Sequence, residues 1–291
     1  MLIKSRPVKL TTRTGVVVNR TIPHGRLRMI GAWCFVDHFG PTEQTDGMVV
    51  AAHPHTGLQT VTWLFEGEIE HRDSIGNVQL IRPGQLNLMT AGNGISHSEL
   101  SIPSTESLHA VQLWIALPST ALEIEPSFEH QRDLPVFQSE GLTATVMIGS
   151  FQGLVAPTTK YSNLVGAQLE LEPGSHKLQL DPGFEHGLLL VSGDASASGE
   201  ELAVSDLYYL EPGSTSMEIV TRSGAKLVFL GGEPFPEKIL MWWNFIGRSH
   251  QDIAMAREQW NQRSERFGQF EDRIGGWIPA PELPNLILQP R

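Results

Sequence analysis

The chain has 291 residues, 40% of them hydrophobic and 18% charged, a globular composition that excludes a disordered chain. Its net charge of −11 argues against a direct nucleic-acid binder, because phosphate binding needs a basic surface. One cysteine, Cys34, excludes an internal disulfide and a cysteine-based zinc cage.

The N-terminus is locally basic. Lys4, Arg6, Lys9, Arg13, Arg20, Arg26 and Arg28 all precede the first acidic residue, Asp37. Pro7 and Pro23 interrupt any amphipathic helix, and Thr14-Gly15-Val16-Val17-Val18 reads as a turn into a strand. This start is therefore expected to be a positively charged first sheet rather than a targeting peptide. No apolar run approaches the roughly 20 residues that cross a bilayer, so no membrane partner is expected and the chain is read as cytoplasmic. Cys34, between Trp33 and Phe35, reads as a buried apolar residue. His38 is expected either near the mouth of a site or in a structural role.

The middle of the chain is β-rich. His53-Pro54-His55 sets two imidazoles at i and i+2, a spacing that puts both on one face of a strand. Pro54 also favours extended backbone at His53. Val61, Trp63 and Phe65 alternate before Glu66-Gly67, and Asp73-Ser74-Ile75-Gly76 marks a hairpin turn. His71, with Arg72 and Asp73, is expected in a surface hydrogen-bond network on the arm of that hairpin. After Pro83-Gly84, His97-Ser98-Glu99 repeats the i, i+2 spacing. Two such strands facing across a barrel would supply three imidazoles and one carboxylate. That donor set suits Fe, Mn, Ni, Cu or Zn, and in six-coordination it leaves two open positions.

A polar stretch near 131–142 reads as a link. Beyond it, Leu188-Leu189-Leu190-Val191 ends at Ser192-Gly193, and Leu207-Tyr208-Tyr209-Leu210 runs into Glu211-Pro212-Gly213. This echoes the order around Gly67 and Pro83 and predicts a duplicated β unit, two jelly-roll barrels in tandem. Counting from Gly193 and Pro212 places the equivalents of the His53, His55, His97 and Glu99 positions on Gln179, Asp181, Lys226 and Val228, so no second ion is expected. His176 and His186 are read as structural. Ser249 to Asp252 fits a capping box, and Ile253, Ala256, Trp260 and Phe267 form an apolar helix face with Gly268 as its stop. The tail beyond Gly275 is expected to lie extended over the surface. The expected division is 1–135 for a metal-bearing barrel, 136–248 for a barrel without metal, and 249–291 for helix and tail.

His53-Pro54-His55-Thr56-Gly57, the run Phe65–Ser74, Pro83-Gly84 and the run Met89–Glu99 resemble the pirin family of the cupin superfamily. Phe35–Pro41, Gly231–Pro234 and Trp243–Ser249 match it as well. The resemblance implies an all-β fold of two tandem cupin (jelly-roll) barrels packed face to face, with a short C-terminal helix. It implies one metal held by His53, His55, His97 and Glu99, with iron as the usual ion; Mn, Ni, Cu, Co and Zn stay open. It implies a quercetin 2,3-dioxygenase activity, in which a small flat flavonol reacts with O2 and Glu99 takes the proton of the 3-hydroxyl. In some members it implies instead a non-enzymatic, redox-responsive role toward a protein partner. The chain departs from the family at Gln59, where members often carry Glu, so the charge expected beside the metal differs by one.

Overall fold

The computed structural model describes residues 1–10, 16–42, 48–102, 107–270, 272–273 and 275–291. Arg13, Thr14 and Gly15, part of the expected basic turn, lie outside them. Strands dominate, and among the described residues no helix is long and apolar enough to cross a membrane. Cys34 is fully buried.

The chain divides into two compact units. The first holds Lys9–Val18, Phe39–His130 and Pro236–Arg291; the second holds Met1–Val8, Asn19–His38 and Gln131–Phe235. The change at residue 131 falls at the start of the polar stretch. The segment from Pro236 onward groups with the first unit. Backbone bridges from Ala52 to Trp277 and from Thr56 to Phe245 tie it there, while Leu240, Phe245, Ile253, Trp260, Phe267 and Ala280 form the segment's own apolar cluster.

Each unit carries the same antiparallel strand pattern. In the first the strands are Val49–His55, Leu58–Glu66, Ile69–Asp73, Val78–Ile81, Leu86–Thr90, Ile95–Ser101 and Leu108–Ala116. In the second they are Gly174–Gln179, Glu185–Gly193, Ala195–Ala197, Glu200–Leu202, Leu207–Leu210, Ser216–Thr221 and Ala225–Gly232. In both, the first strand neighbours the sixth, the sixth the third, and the third the fourth. In both, the second strand lies between the fifth and the seventh. This is the jelly-roll order of a cupin barrel, repeated. The turns Pro83–Gly84 and Pro212–Gly213 hold glycine at φ of +79° and +115°, a region that side chains disfavour.

The repeat corrects the counted equivalents. Gln179 and Asp181 are exposed, and Lys226 and Val228 lie on the seventh strand rather than the sixth. The inward positions of the paired first and sixth strands are His176 and Leu178, opposite Ile219 and Met217. Counting slips because the turns of the two repeats differ in length. Leu178, Met217 and Ile219 belong to the apolar core of the second unit, and His176 Nε2 donates to the Glu172 carbonyl at 2.8 Å.

The helix spans His250–Asn261. Its capping box is complete: Ser249 Oγ accepts from the Asp252 N–H at 3.2 Å, and Asp252 Oδ2 accepts from the Ser249 N–H at 2.9 Å. It ends before Gly268. Arg263 adopts φ of 55° and donates its N–H to the Trp260 carbonyl, while the Ser264 N–H returns to Gln259. That is a Schellman closure built on arginine. Gly268 instead terminates the short 3₁₀ turn Glu265–Phe267. Phe267 still packs on Trp260, with ring centroids 5.5 Å apart.

His186 lies inside the second unit, stacked on Phe229 at 5.6 Å, and its Nδ1 has no hydrogen-bond partner among the described residues. Burial lowers its pKa to about 4. The unfolded chain then binds the extra proton first, and stability falls as pH drops from about 6.5 toward 4. His186→Leu is expected to flatten that slope in urea titrations, a difference of roughly 2–3 kcal/mol at pH 4.

Candidate metal centre

The strands Val49–His55 and Ile95–Ser101 are immediate neighbours in one sheet, which corrects the expectation that they face each other across the barrel. His97 pairs directly with His53, and Ile95 with His55. Glu99 is then opposite Val50, so the first strand carries an extra residue between these pairs, a β-bulge. On the other side of Ile95–Ser101 lies Ile69–Asp73, with Asp73 opposite His97 and His71 opposite Glu99. Alternation aims these side chains at one face.

Gly57 closes the His-Pro-His-Thr-Gly segment at φ of +70°. The Ile246 carbonyl oxygen occupies the space a Cβ would need. The Ile246 N–H donates to the Thr56 carbonyl at 3.0 Å, which fixes the end of the His53–His55 strand.

Among the described residues, two sets of donors have ligand atoms within 4.8 Å of one another: His53, His55 and His97, and His71, His97 and Glu99. The four residues expected from the sequence thus meet through His97. Glu99 groups with His71 rather than with His53 and His55. His55 Nε2 and His97 Nε2 are 3.1 Å apart, and the His53 and His97 ring centroids are 4.3 Å apart.

The ring nitrogens sort into two kinds. His53 Nδ1–H donates to the Ala51 carbonyl at 2.9 Å, within the bulge, which leaves Nε2 as its lone-pair nitrogen. His97 Nδ1 faces His71 Nδ1 at 3.3 Å, which turns its Nε2 toward His55. His55 Nε2 and His97 Nε2 are within hydrogen-bond reach of each other, and buried neutral imidazoles this close form a donor set that fits a transition-metal ion.

Electrostatics prepares the set. Burial lowers the His53 pKa to about 4, with the Ala51 bond opposing and His71 adding to the shift. Burial, then the charge of His53, holds His55 and His97 well below the usual histidine range. All three are therefore neutral at pH 7, the form in which an imidazole can bind a metal without proton competition. Burial pushes the Glu99 carboxyl up, and the hydroxyl of Thr62, 3.2 Å from its Oε1, partly offsets this. Thr62 also lies 3.1 Å from Gln112 Oε1. Trp114 stands edge-on to His55 at 5.1 Å, and Phe128 stacks on His71 at 4.5 Å.

Two residues expected beside the metal make contacts outside this donor set. Gln59 sits on the face of its strand opposite Thr62, where its Nε2 donates to Thr90 Oγ1 at 2.9 Å. His38 belongs to the second unit, and its Nδ1 is 2.6 Å from Ser205 Oγ. The reading of His71 as a surface group is corrected: it is 2% exposed and touches His97. Its sequence signal was available, since His71 and Asp73 share the i, i+2 spacing of the other two pairs.

The outer face of this sheet is covered by the C-terminal segment. Ser96 Oγ donates to the Phe267 carbonyl at 2.8 Å, and Ser98 Oγ to Asp272 Oδ1 at 3.1 Å. The Ile278 N–H donates to the Ala52 carbonyl at 2.8 Å. Part of the expected surface tail is therefore a backing layer, with Ala280 buried.

With no cation near, burial penalises the charged form of Glu99. Its raised pKa means that stability is full at low pH and is lost as pH rises through the folded-state value. In chelator-treated protein at pH 7, Glu99→Gln is expected to stabilise by about 1 kcal/mol, or about 2 °C in Tm. The gain should vanish near pH 4, as calorimetry across pH would show.

The pirin family profile matches residues 15–115, and the pirin C-terminal cupin domain matches residues 166–268. A Pseudomonas aeruginosa protein named "Putative quercetin 2,3-dioxygenase" is 48% identical over 273 residues, covering 93% of this chain and 87% of that protein. A pirin-like protein of Caulobacter vibrioides is 36% identical over 276 residues, covering 91% and 94%. The crystal structure of a quercetin 2,3-dioxygenase from Acinetobacter baumannii superposes with a TM-score of 0.94 at 42% identity, covering 98% of this chain and 96% of that one. The chain belongs to the pirin family.

Proposed function

We propose that this pirin-family chain is a metal-dependent dioxygenase that opens the ring of a flavonol such as quercetin with O2. The observation that carries the reading is the convergence of three buried, neutral imidazoles, two of which have their other nitrogen engaged. Relatives at 48% and 42% identity that are named for quercetin 2,3-dioxygenase support the substrate class.

His53, His55, His97 and Glu99 would hold the ion. Iron(II) is the first choice, and Mn, Ni, Cu, Co or Zn are the alternatives that an imidazole–carboxylate set also accepts. Bound there, the ion supplies Lewis acidity and open positions for chemistry with O2.

The remaining work falls to the side chains. Glu99, with its proton affinity raised by burial, accepts the proton of the flavonol 3-hydroxyl. The contact from Thr62 to Oε1 orients the carboxylate for that transfer. Trp114 and Phe128 are the aromatic surfaces beside the imidazoles, and a planar ring system is the ligand that such surfaces suit. The opened product and carbon monoxide leave.

Iron-loaded protein supplied with quercetin and O2 is expected to bleach the flavonol absorbance and release carbon monoxide. A chelator, or His97→Ala, should lower the rate by at least roughly 100-fold. Bleaching that survives both would sink this reading. Iron bound in the wild type with no turnover would favour the redox-responsive partner protein instead.

A further inference from the structure

The imidazole of His71 is buried beside the histidine cluster, yet the reaction above gives it no task. Its surroundings define one. His71 Nε2 lies 3.1 Å from Asp73 Oδ2, and its Nδ1 lies 3.3 Å from His97 Nδ1. Phe128 stacks on its ring at 4.5 Å and limits rotation. Asp73 is anchored in turn. Its Oδ1 accepts from the backbone N–H of Ile75 at 3.1 Å and of Asn77 at 3.0 Å, and its Oδ2 accepts from Asn77 Nδ2 at 2.8 Å.

The protons follow from these contacts. An anchored Asp73 carboxylate accepts, so His71 Nε2 carries a hydrogen. His71 Nδ1 is then a lone pair, and the hydrogen between the two Nδ1 atoms belongs to His97. His97 is left with its lone pair on Nε2, the nitrogen 3.1 Å from His55 Nε2.

We propose that His71 is a positioning residue for His97, the middle of an Asp73–His71–His97 line that fixes the tautomer and ring orientation of a metal ligand. The inference rests on the reading that His97 binds metal. Metal-binding histidines commonly donate their other N–H to a carboxylate or carbonyl. Here a second imidazole stands between, which carries the link across one strand spacing. The line uses cross-strand and i, i+2 neighbours on the same two strands, so backbone register sets it.

Two variants separate this role from packing. His71→Phe keeps a flat ring against Phe128 and removes the acceptor. His71→Gln restores an acceptor for the His97 N–H. Binding of Co(II), followed by its visible absorption in competition with a chelator, is expected to weaken by about 10–100-fold in His71→Phe and to recover to within a few-fold in His71→Gln. In the zinc-loaded wild type, nitrogen-resolved NMR should show His97 with a protonated Nδ1 and a downfield, slowly exchanging proton. That proton should disappear in His71→Phe and persist in His71→Gln. Wild-type Co(II) affinity in His71→Phe, with the proton unchanged, would overturn the role of His71 and leave the metal reading standing. Wild-type protein that binds neither Co(II) nor Zn(II) would overturn both. A His71→Phe chain that fails to fold shifts the decision to His71→Gln, where absence of the His97 proton counts against the proposal.

Discussion

Burial of uncharged imidazole is the constraint on which the site depends. A histidine in water titrates near neutrality and spends part of its time as a cation that no metal can use. Inside the first unit, desolvation drives His53, His55 and His97 to the neutral form. The same desolvation raises the proton affinity of Glu99. One environment thus prepares three imidazoles able to bind a metal and one carboxylate able to accept a proton.

Only a rigid frame can hold such a set. The donors come from neighbouring strands, and backbone ladder bonds fix their spacing to the registers His97–His53 and Glu99–His71. Side chains of opposite parity, Ala52, Ser96 and Ser98, turn to the other face, where the C-terminal segment covers them. Capping at Ser249 and the arginine closure at Arg263 set the length of the helix that begins this cover. A segment far in sequence therefore supports the strands that carry the donors.

Duplication shows how little of the fold requires the donors. The second unit repeats the strand order while Leu178, Met217 and Ile219 occupy the inward positions of its paired strands. Hydrocarbon there supplies the packing that polar donors cannot, and the barrel keeps its topology. The chemistry is thus a property of a few inward positions rather than of the architecture.

The β-rich character, the repeat and the two i, i+2 pairs were legible in the sequence because strand alternation is local and needs no partner to be read. The capping box at Ser249 was legible for the same reason. Pairing was not. Which strands become neighbours depends on ladder bonds between distant segments. The sequence therefore left open that His53 and His97 sit side by side, that His71 joins them, and that Gln59 turns away. The equivalents in the second barrel slipped because turn lengths vary while strand order does not. Residue types and spacing determined that this chain carries a set of donors for a metal. Tertiary structure alone decided which donors share a face, since a strand's two faces acquire an inside only when its sheet closes.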